Sequence, residues 1–338
     1  AGIIINNYGE NKNSWYDNGN NIEYSENKFK NVNITLDHYV IRTKNQYNIK
    51  KEQHICNNNQ RNVLLNGVFE LFQLDDMYFL INDNCIMVDI VKQNDKTICL
   101  NMIVKNESHI ILSTLKNVLE HINIDYWVIS DTGSTDDTID IINKFFHERK
   151  IPGEMFCDEW KDFGHNRTKA LEHAFGKSDY LFIFDADDLI EGNMNLPLIL
   201  DKDCYNIQFE NPTSYYRSIL ISNKMKWKYI GILHESIVPI DTKNSEEYLG
   251  GDYYILSRRL GNRSKNPDKY LDDAKLLENA YNSETDLGLQ ARYAFYCAQS
   301  YKDCGRNDNA IKWYTKVLTL GNWNQEKYYS CLMLGNLY

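Results

Sequence analysis

The chain is 338 residues long, enough for two or three domains and a sizeable core, and its net charge is −10 with no long basic run. That balance argues against nucleic acid as the main partner and against adsorption to anionic membranes. No stretch approaches the roughly 20 apolar residues of a membrane span, and no signal peptide is visible.

The chain begins at Ala1 rather than Met, which leaves open a longer native chain and a lost targeting segment. The eight cysteines form no C-x-x-C pair, which argues against zinc and predicts reduced, mostly buried thiols of an intracellular protein. Asn, Ile, Lys and Tyr are heavily used and Pro numbers only 5; this bias is that of an AT-rich genome and resembles giant-virus proteins.

Residues 1 to about 30 are Asn-rich and weakly apolar and read as an irregular lead-in. Short alternating segments between about 32 and 95, such as Val32 to Leu36 and Met77 to Ile81, predict a small β-containing module. From residue 97 the pattern becomes regular. A strand over 97–104 precedes an amphipathic helix through Leu119. Then follow a strand over 126–130, a helix over 136–148, a strand near 154–157, a helix over 164–175 and a strand over 180–184. Alternating β and α units predict a doubly wound, mostly parallel Rossmann-like sheet with right-handed crossovers. Beyond about residue 265 the chain reads as helical. The segment from Ala291 to Tyr314 resembles a tetratricopeptide helix pair, in which small residues let helices approach, and a second repeat begins near the end. The expected domains are 1–95, 96–262 and 263–338.

In doubly wound sheets ligands bind beyond the carboxyl ends of the strands, and the polar clusters fall there. Asn106-Glu107 follows the first strand, Asp131 ends the second, Asp162 to Arg167 follows the third, and Asp185-Ala186-Asp187-Asp188 the fourth. On an extended segment Asp185 and Asp187 point the same way, with Ala186 leaving room between them. Two adjacent carboxylates repel unless a cation sits nearby. A divalent metal shared with a phosphate-bearing substrate satisfies them, and capping of a following helix is the bland alternative. The other clusters make the metal reading the stronger one. The turn Asp131-Thr132-Gly133-Ser134-Thr135-Asp136 enters a helix capped by Thr135 or Asp136, which leaves Asp131 free to accept from a base or ribose. No G-x-G-x-x-G or G-x-x-x-x-G-K-[ST] lies near, so dinucleotide and P-loop readings lose ground.

Ile103 to Glu107, Asp131 to Asp136, Asp162-Phe163 with Arg167, Asp185 to Asp188 and Gly231-Ile232-Leu233-His234-Glu235 occur in this order. Together they resemble the family 2 glycosyltransferases of the GT-A fold, in the branch carrying tetratricopeptide-like repeats. The resemblance covers about residues 97 to 240 well and the helical tail loosely. It implies a nucleotide pocket on Val104, Asn106, Glu107 and Asp131, with Asp131 facing the uracil or ribose of a UDP-sugar. It further implies Mn²⁺ or Mg²⁺ on Asp185 and Asp187, with Asp185 also facing the donor, and Arg167 toward the phosphates or donor sugar. Thr168 departs from the Asn common in relatives, which points to a different donor preference. A His or Glu at a strand end is usually solvated or hydrogen-bonded. By the resemblance, His234 would be a third metal ligand and Glu235 the general base, with Asp188 the alternative base. The fragment Asp37 to Lys44 faintly resembles the His-Tyr tail that closes another group of glycosyltransferase domains; a plain structural role is the alternative.

The expected activity is thus a metal-dependent, inverting transfer from a nucleotide-sugar to a hydroxyl on a glycan or protein acceptor. Tyr215, Tyr216, Trp227 and Tyr229 are candidates for an acceptor platform, and the helical repeats for a protein partner. A sugar nucleotidyltransferase would need a Gly-rich, basic loop after the first strand. A non-catalytic tetratricopeptide module would not need the intact carboxylates. The sequons Asn106-Glu107-Ser108 and Asn166-Arg167-Thr168 fall in the expected donor pocket, where glycans would block it; this favours a cytoplasmic setting, in a host cell or virion if the protein is viral.

Overall fold

The computed structural model describes residues 96–338 apart from 198, 211–213, 241–242 and 321–322, and within the first 95 residues only the backbone of strands. The chain divides into two compact units, Ala1–Asp95 with Pro197–Leu200, and Lys96–Leu196 with Asp201–Tyr338. In the first, strands Ile3–Asn6, Cys85–Lys92, Met77–Asn82, Phe69–Leu74 and Lys50–Lys51 form one sheet. Strands Trp15–Asp17, Asn20–Glu23, Asn33–Leu36 and Tyr39–Ile41 form another, and all these pairings are antiparallel. Of the fragment Asp37 to Lys44, only the strand Tyr39–Ile41 lies within the described residues.

The second unit is mixed α/β, with a central sheet followed by a run of helices. Its strands are β1 (Ile98–Val104), β2 (Tyr126–Asp131), β3 (Gly153–Cys157), β4 (Tyr180–Ile183), β5 (Asp188–Gly192), β6 (Cys204–Glu210), β7 (Ser214–Ser222), β8 (Trp227–Ile230), β9 (Ser236–Pro239), β10 (Glu246–Leu249) and β11 (Tyr253–Ser257). The large sheet runs β3-β2-β1-β4-β7-β6-β11-β5, with β10 beside β6; β8 and β9 form a separate hairpin. β3, β2, β1 and β4 are mutually parallel, and β6 runs parallel to β10 and β11. β7 lies antiparallel between β4 and β6, and β5 antiparallel on β11. The expectation of a mostly parallel sheet is met, with β7 and β5 as its antiparallel strands.

Helices α1 (Ile111–His121), α2 (Thr138–Arg149) and α3 (Phe163–Ala174) supply the crossovers. β1 and β4 bury nearly every residue because both sheet faces are covered. On one face Cys99, Val128, Leu181 and Ile183 pack with Leu171 and Ala174 of α3. Asn101 is buried there as well, and its amide donates to the carbonyls of Val128 and Ala170 at 3.3 and 2.9 Å. This fixes α3, the helix that carries Arg167, to the sheet centre.

The C-terminal part is helical, with α4 (Lys269–Ser283), α5 (Leu287–Asp303), α6 (Asn307–Leu320) and α7 (Asn324–Leu337) packed each on the next. Ala274, Ala294, Ala298 and Ala310 are fully buried at these contacts, where small side chains permit close helix approach. Leu233, outside the helices, belongs to the same apolar cluster. No described helix is long and apolar enough to cross a membrane. Of the described thiols Cys99, Cys204 and Cys297 are buried, but Cys157 and Cys331 are exposed, so the expectation of mostly buried cysteines holds only in part.

Candidate active site

The loops leaving β1 and β2 are laced together. Asn106 sits in the left-handed region at φ 55°, which Asn tolerates better than most residues. Its backbone N–H donates to Ser134 Oγ at 2.8 Å, and its Oδ1 accepts from Thr135 N at 2.7 Å. Glu107 N donates to Thr138 Oγ1 at 2.8 Å. Asp131, 3% exposed, accepts from Gly133 N and Ser134 N through Oδ2, while its buried Oδ1 has no partner among the described residues. An orphaned carboxylate oxygen at a strand end is a ready acceptor for a ligand donor group. Val104, 3% exposed, contributes backbone here: its carbonyl accepts from Thr132 N.

Arg167 is the hub of the second cluster. It is 8% exposed, with Nη2 2.6 Å from Asp185 Oδ1 and Nε 2.7 Å from Glu235 Oε1. The Glu235 contact is an ion pair rather than an aligned hydrogen bond. Burial works against the guanidinium charge, yet Asp185 and Glu235 raise its pKa still further. The other side of Asp185 meets Arg217, whose Nη1 lies 3.5 Å from Asp185 Oδ2 and 3.9 Å from Asp188 Oδ2. Burial pushes Asp185 up, but the two arginines prevail and lower its pKa. Asp188 is 1% exposed, and its Oδ1 has no partner among the described residues; burial, then Asp185, pushes its carboxyl up to about 8.

Sequence reasoning missed Arg217. One signal was available: it is the lone charge in the run Ser214 to Ser222, and strand alternation places it on the same face as Tyr215.

The D-x-D segment is not extended. β4 ends at Ile183 and the chain turns at Ala186 and Asp187 before β5 begins at Asp188. Asp185 and Asp187 therefore take different partners, contrary to the alternation expected of a continuous strand. Asp187 Oδ2 accepts from Gly261 N at 3.1 Å, and its carbonyl accepts from Arg258 N and Nε. Beside it, Glu107 accepts from Asn262 N at 3.1 Å. Burial, opposed by that hydrogen bond and assisted by Asp187, raises Glu107 to about 7.

His234 does not join the aspartates. Its ring stacks on Tyr296 with centroids 3.8 Å apart and planes 11° from parallel. Among the described residues no three His, Cys, Asp or Glu side chains stand close enough to hold a metal ion. The expected ligand set Asp185, Asp187 and His234 is thus not assembled: arginines engage Asp185, and the stack turns His234 toward the helices.

The four expected platform aromatics also separate. Trp227 is 5% exposed in the core, with Nε1 donating to Ser222 O. Tyr229 is half-buried under Arg167. Tyr215 and Tyr216 point to opposite faces of β7, where Tyr215 stacks on Phe209 and Tyr216 meets Tyr248 edge-on. Thr168 is structural in this arrangement: its hydroxyl donates to Gly164 O at 2.7 Å and accepts from Tyr229 N at 2.9 Å.

Residues 99–264 match the model of Glycosyl transferase family 2. This segment is similar to glycosyltransferase family 2 domains. Over 99 residues the chain is 37% identical to the SPbeta prophage-derived glycosyltransferase SunS of Bacillus subtilis, which covers 29% of this chain and 22% of that protein. The chain thus spans less than a quarter of that relative's length in the match. Among solved structures, S. aureus TarS 1–349 in complex with UDP-GlcNAc is similar at 14% identity and TM-score 0.37, over 66% of this chain and 81% of that one. The mannosyltransferase PcManGT from Pyrobaculum calidifontis, in complex with GDP-Man and Mn²⁺, is similar at 23% identity and TM-score 0.25, over 28% of each chain. The matched segment contains every sequence-predicted site residue.

Proposed function

We propose that the protein transfers a glycosyl unit from a nucleotide-sugar, a UDP-sugar in the first instance, to a hydroxyl acceptor on a glycan or protein, with inversion. The observation that carries this reading is the junction at Arg167, which ties Asp185 of the D-x-D turn to Glu235 of the distant Gly231–Glu235 turn. Asp131 Oδ1, with Asn106 and Glu107 in the neighbouring loop, receives the nucleoside. Glu235, its carboxylate 10% exposed, accepts the proton of the attacking hydroxyl, a contribution of about 10²–10⁴-fold. The acceptor oxygen bonds to the anomeric carbon as the bond to the diphosphate breaks, and the nucleoside diphosphate leaves with that electron pair. Arg167 steadies the negative charge that develops there.

Divalent-cation dependence is part of the proposal. Asp187 and Glu107 are neighbouring carboxylates held by backbone N–H groups, a donor set that suits a hard cation completed by phosphate oxygens and water. A cation bound there supplies charge neutralisation of the diphosphate. Asp187 is the principal protein ligand in this reading, and Asp188 is too buried to serve as the base. The compartment proposed is cytoplasmic.

The test is a panel of UDP- and GDP-sugars assayed for nucleoside diphosphate release with Mn²⁺ or with EDTA. Release from at least one donor is expected, with loss in EDTA and in Asp187→Ala; undiminished turnover in EDTA would remove the metal from the reading. Glu235→Gln is expected to bind donor normally and to lose transfer by at least about 10²-fold. Unimpaired transfer in that variant would overturn the assignment of the base.

A further inference from the structure

Glu235 follows a backbone that does not hold its own shape. Gly231 has φ 93° and His234 has φ 54°, left-handed values on either side of Ile232 and Leu233. Such a value is uncommon outside glycine and persists where surrounding contacts over-determine it. Those contacts come from two directions.

Helix α3 holds the entry to the turn. Phe163 N donates to Ile232 O at 3.2 Å, and the Gly231 carbonyl lies so close to Gly164 that a β-carbon there would stand 2.1 Å from its oxygen. Helix α5 holds the exit. Arg292 Nε donates to the His234 carbonyl at 2.8 Å, and its guanidinium lies 5.1 Å over the Tyr296 ring. Tyr296 in turn stacks on the His234 imidazole. Tyr293 bonds to the Ile232 backbone, and Leu233 is buried among residues of α4, α5 and α6. The residue immediately before Glu235 is therefore fixed through both its carbonyl and its ring by the C-terminal helices.

We propose that Arg292 and Tyr296 are positioning residues for Glu235, acting through His234, and that helix α5 is a working part of the transfer site. Helix α3 sets Arg167 and α5 sets the turn that brings Glu235 to it, so the 2.7 Å contact depends on both. The inference rests on the proposed role of Glu235, and the experiment separates the two.

The test compares Tyr296→Leu, Tyr296→Phe, Arg292→Ala, Glu235→Gln and the double variant Arg292→Ala/Glu235→Gln in the full chain. Transfer rate, donor KM, calorimetric UDP affinity in Mn²⁺ and amide exchange over 231–236 are measured for each. Tyr296→Leu and Arg292→Ala are expected to lower kcat by about 10- to 10²-fold, the scale of a catalytic group misplaced by an ångström. Donor KM and UDP affinity stay within about twofold in both. Exchange over 231–236 speeds up, and Tyr296→Phe, which keeps the stack, restores the rate. The double variant should be no slower than Glu235→Gln, because a residue acting through Glu235 has nothing further to lose. An additive loss in the double variant, or normal kcat in both Tyr296→Leu and Arg292→Ala, would overturn the positioning role. If Glu235→Gln transfers normally, the base assignment fails instead. Should Tyr296→Leu not fold, the Arg292→Ala pair decides alone.

Discussion

Gly164→Ala is the most direct perturbation of the Arg167–Glu235 junction, because it touches neither charged group. A β-carbon at residue 164 would stand 2.1 Å from the Gly231 carbonyl oxygen and 3.3 Å from its carbon. Ordinary C···O contacts begin near about 3.3 Å, so the Gly231–Glu235 turn and α3 must part by about 1 Å. Both neighbours are backbone, which leaves no side chain to swing aside. Two stability terms oppose each other. Alanine gains about 1 kcal/mol over glycine in a helix, whereas overpacking against fixed backbone costs about 1–3 kcal/mol. The net change in stability is therefore small to moderate, about 0–2 kcal/mol of loss.

Activity is the more telling measurement. Arg167 lies on the same helix as Gly164, and Glu235 lies at the end of the displaced turn. A parting of about 1 Å stretches their 2.7 Å ion pair toward the roughly 4 Å limit of such a contact. Misplacement on that scale costs about 10²-fold in rate. Initial rates of transfer, set beside urea unfolding midpoints, should show kcat falling by about 10²-fold with at most a modest midpoint shift. A Gly164→Ala enzyme of wild-type kcat would refute the claim that α3 gauges the position of Glu235.

Three further outcomes are expected. Asp131→Ala removes the carboxylate with the orphaned oxygen and should weaken nucleotide binding by about 10- to 10²-fold, the value of a hydrogen bond to a charged group, read by calorimetry. Arg217→Met leaves Asp185 with one arginine and should cost about 1–3 kcal/mol in urea unfolding, below the full value for a buried pair because its contacts are loose and its side chain is 33% exposed. An unchanged midpoint would mean that solvent already neutralises Asp185. Glu107 has its folded pKa raised to about 7 from 4.5; the folded state binds the extra proton between those values, so this group's stabilisation is complete below about 4.5 and is lost as pH rises through 7. The stability difference between wild type and Glu107→Gln should follow that slope, and a difference independent of pH would contradict the burial of Glu107.

How far the molecule could be read from its sequence depended on the range of the interactions. β1, β2 and β4 announce themselves as apolar runs because burial on both faces is a local requirement, and the polar clusters at their ends fall where a parallel sheet exposes them. The antiparallel strands β7 and β5 are set by pairings such as Tyr180 with Ser222 and Asp188 with Ser257, whose partners carry no local signal. The alternation argument for Asp185 and Asp187 failed at the end of the strand: two residues of turn suffice to give the carboxylates different partners. The same limit hid the loop at Gly261 and Asn262, which approaches Glu107 across 155 residues of chain. Thr168 looked like a determinant of donor choice, but its hydroxyl is consumed between Gly164 and Tyr229.

The charges at the site sort the carboxylates into two classes. Around Arg167 and Arg217 stand Asp185, Glu235 and Asp188. With Asp188 pushed up to about 8 and so carrying its proton at neutral pH, two cations face two anions and the inner cluster balances. Its carboxylates need no further positive charge. Asp187 and Glu107 lie outside that balance; their hydrogen bonds come from the uncharged backbone of Gly261 and Asn262, and burial, with a smaller contribution from Asp187, raises Glu107 to about 7. A nucleoside diphosphate would add negative charge beside them. In the proposed mechanism, then, a cation accompanying the donor would sit at Asp187 and Glu107 rather than at Asp185. Asp185 is engaged by Arg167, which also meets Glu235, so the proposal divides the D-x-D turn between donor neutralisation and the geometry of proton transfer.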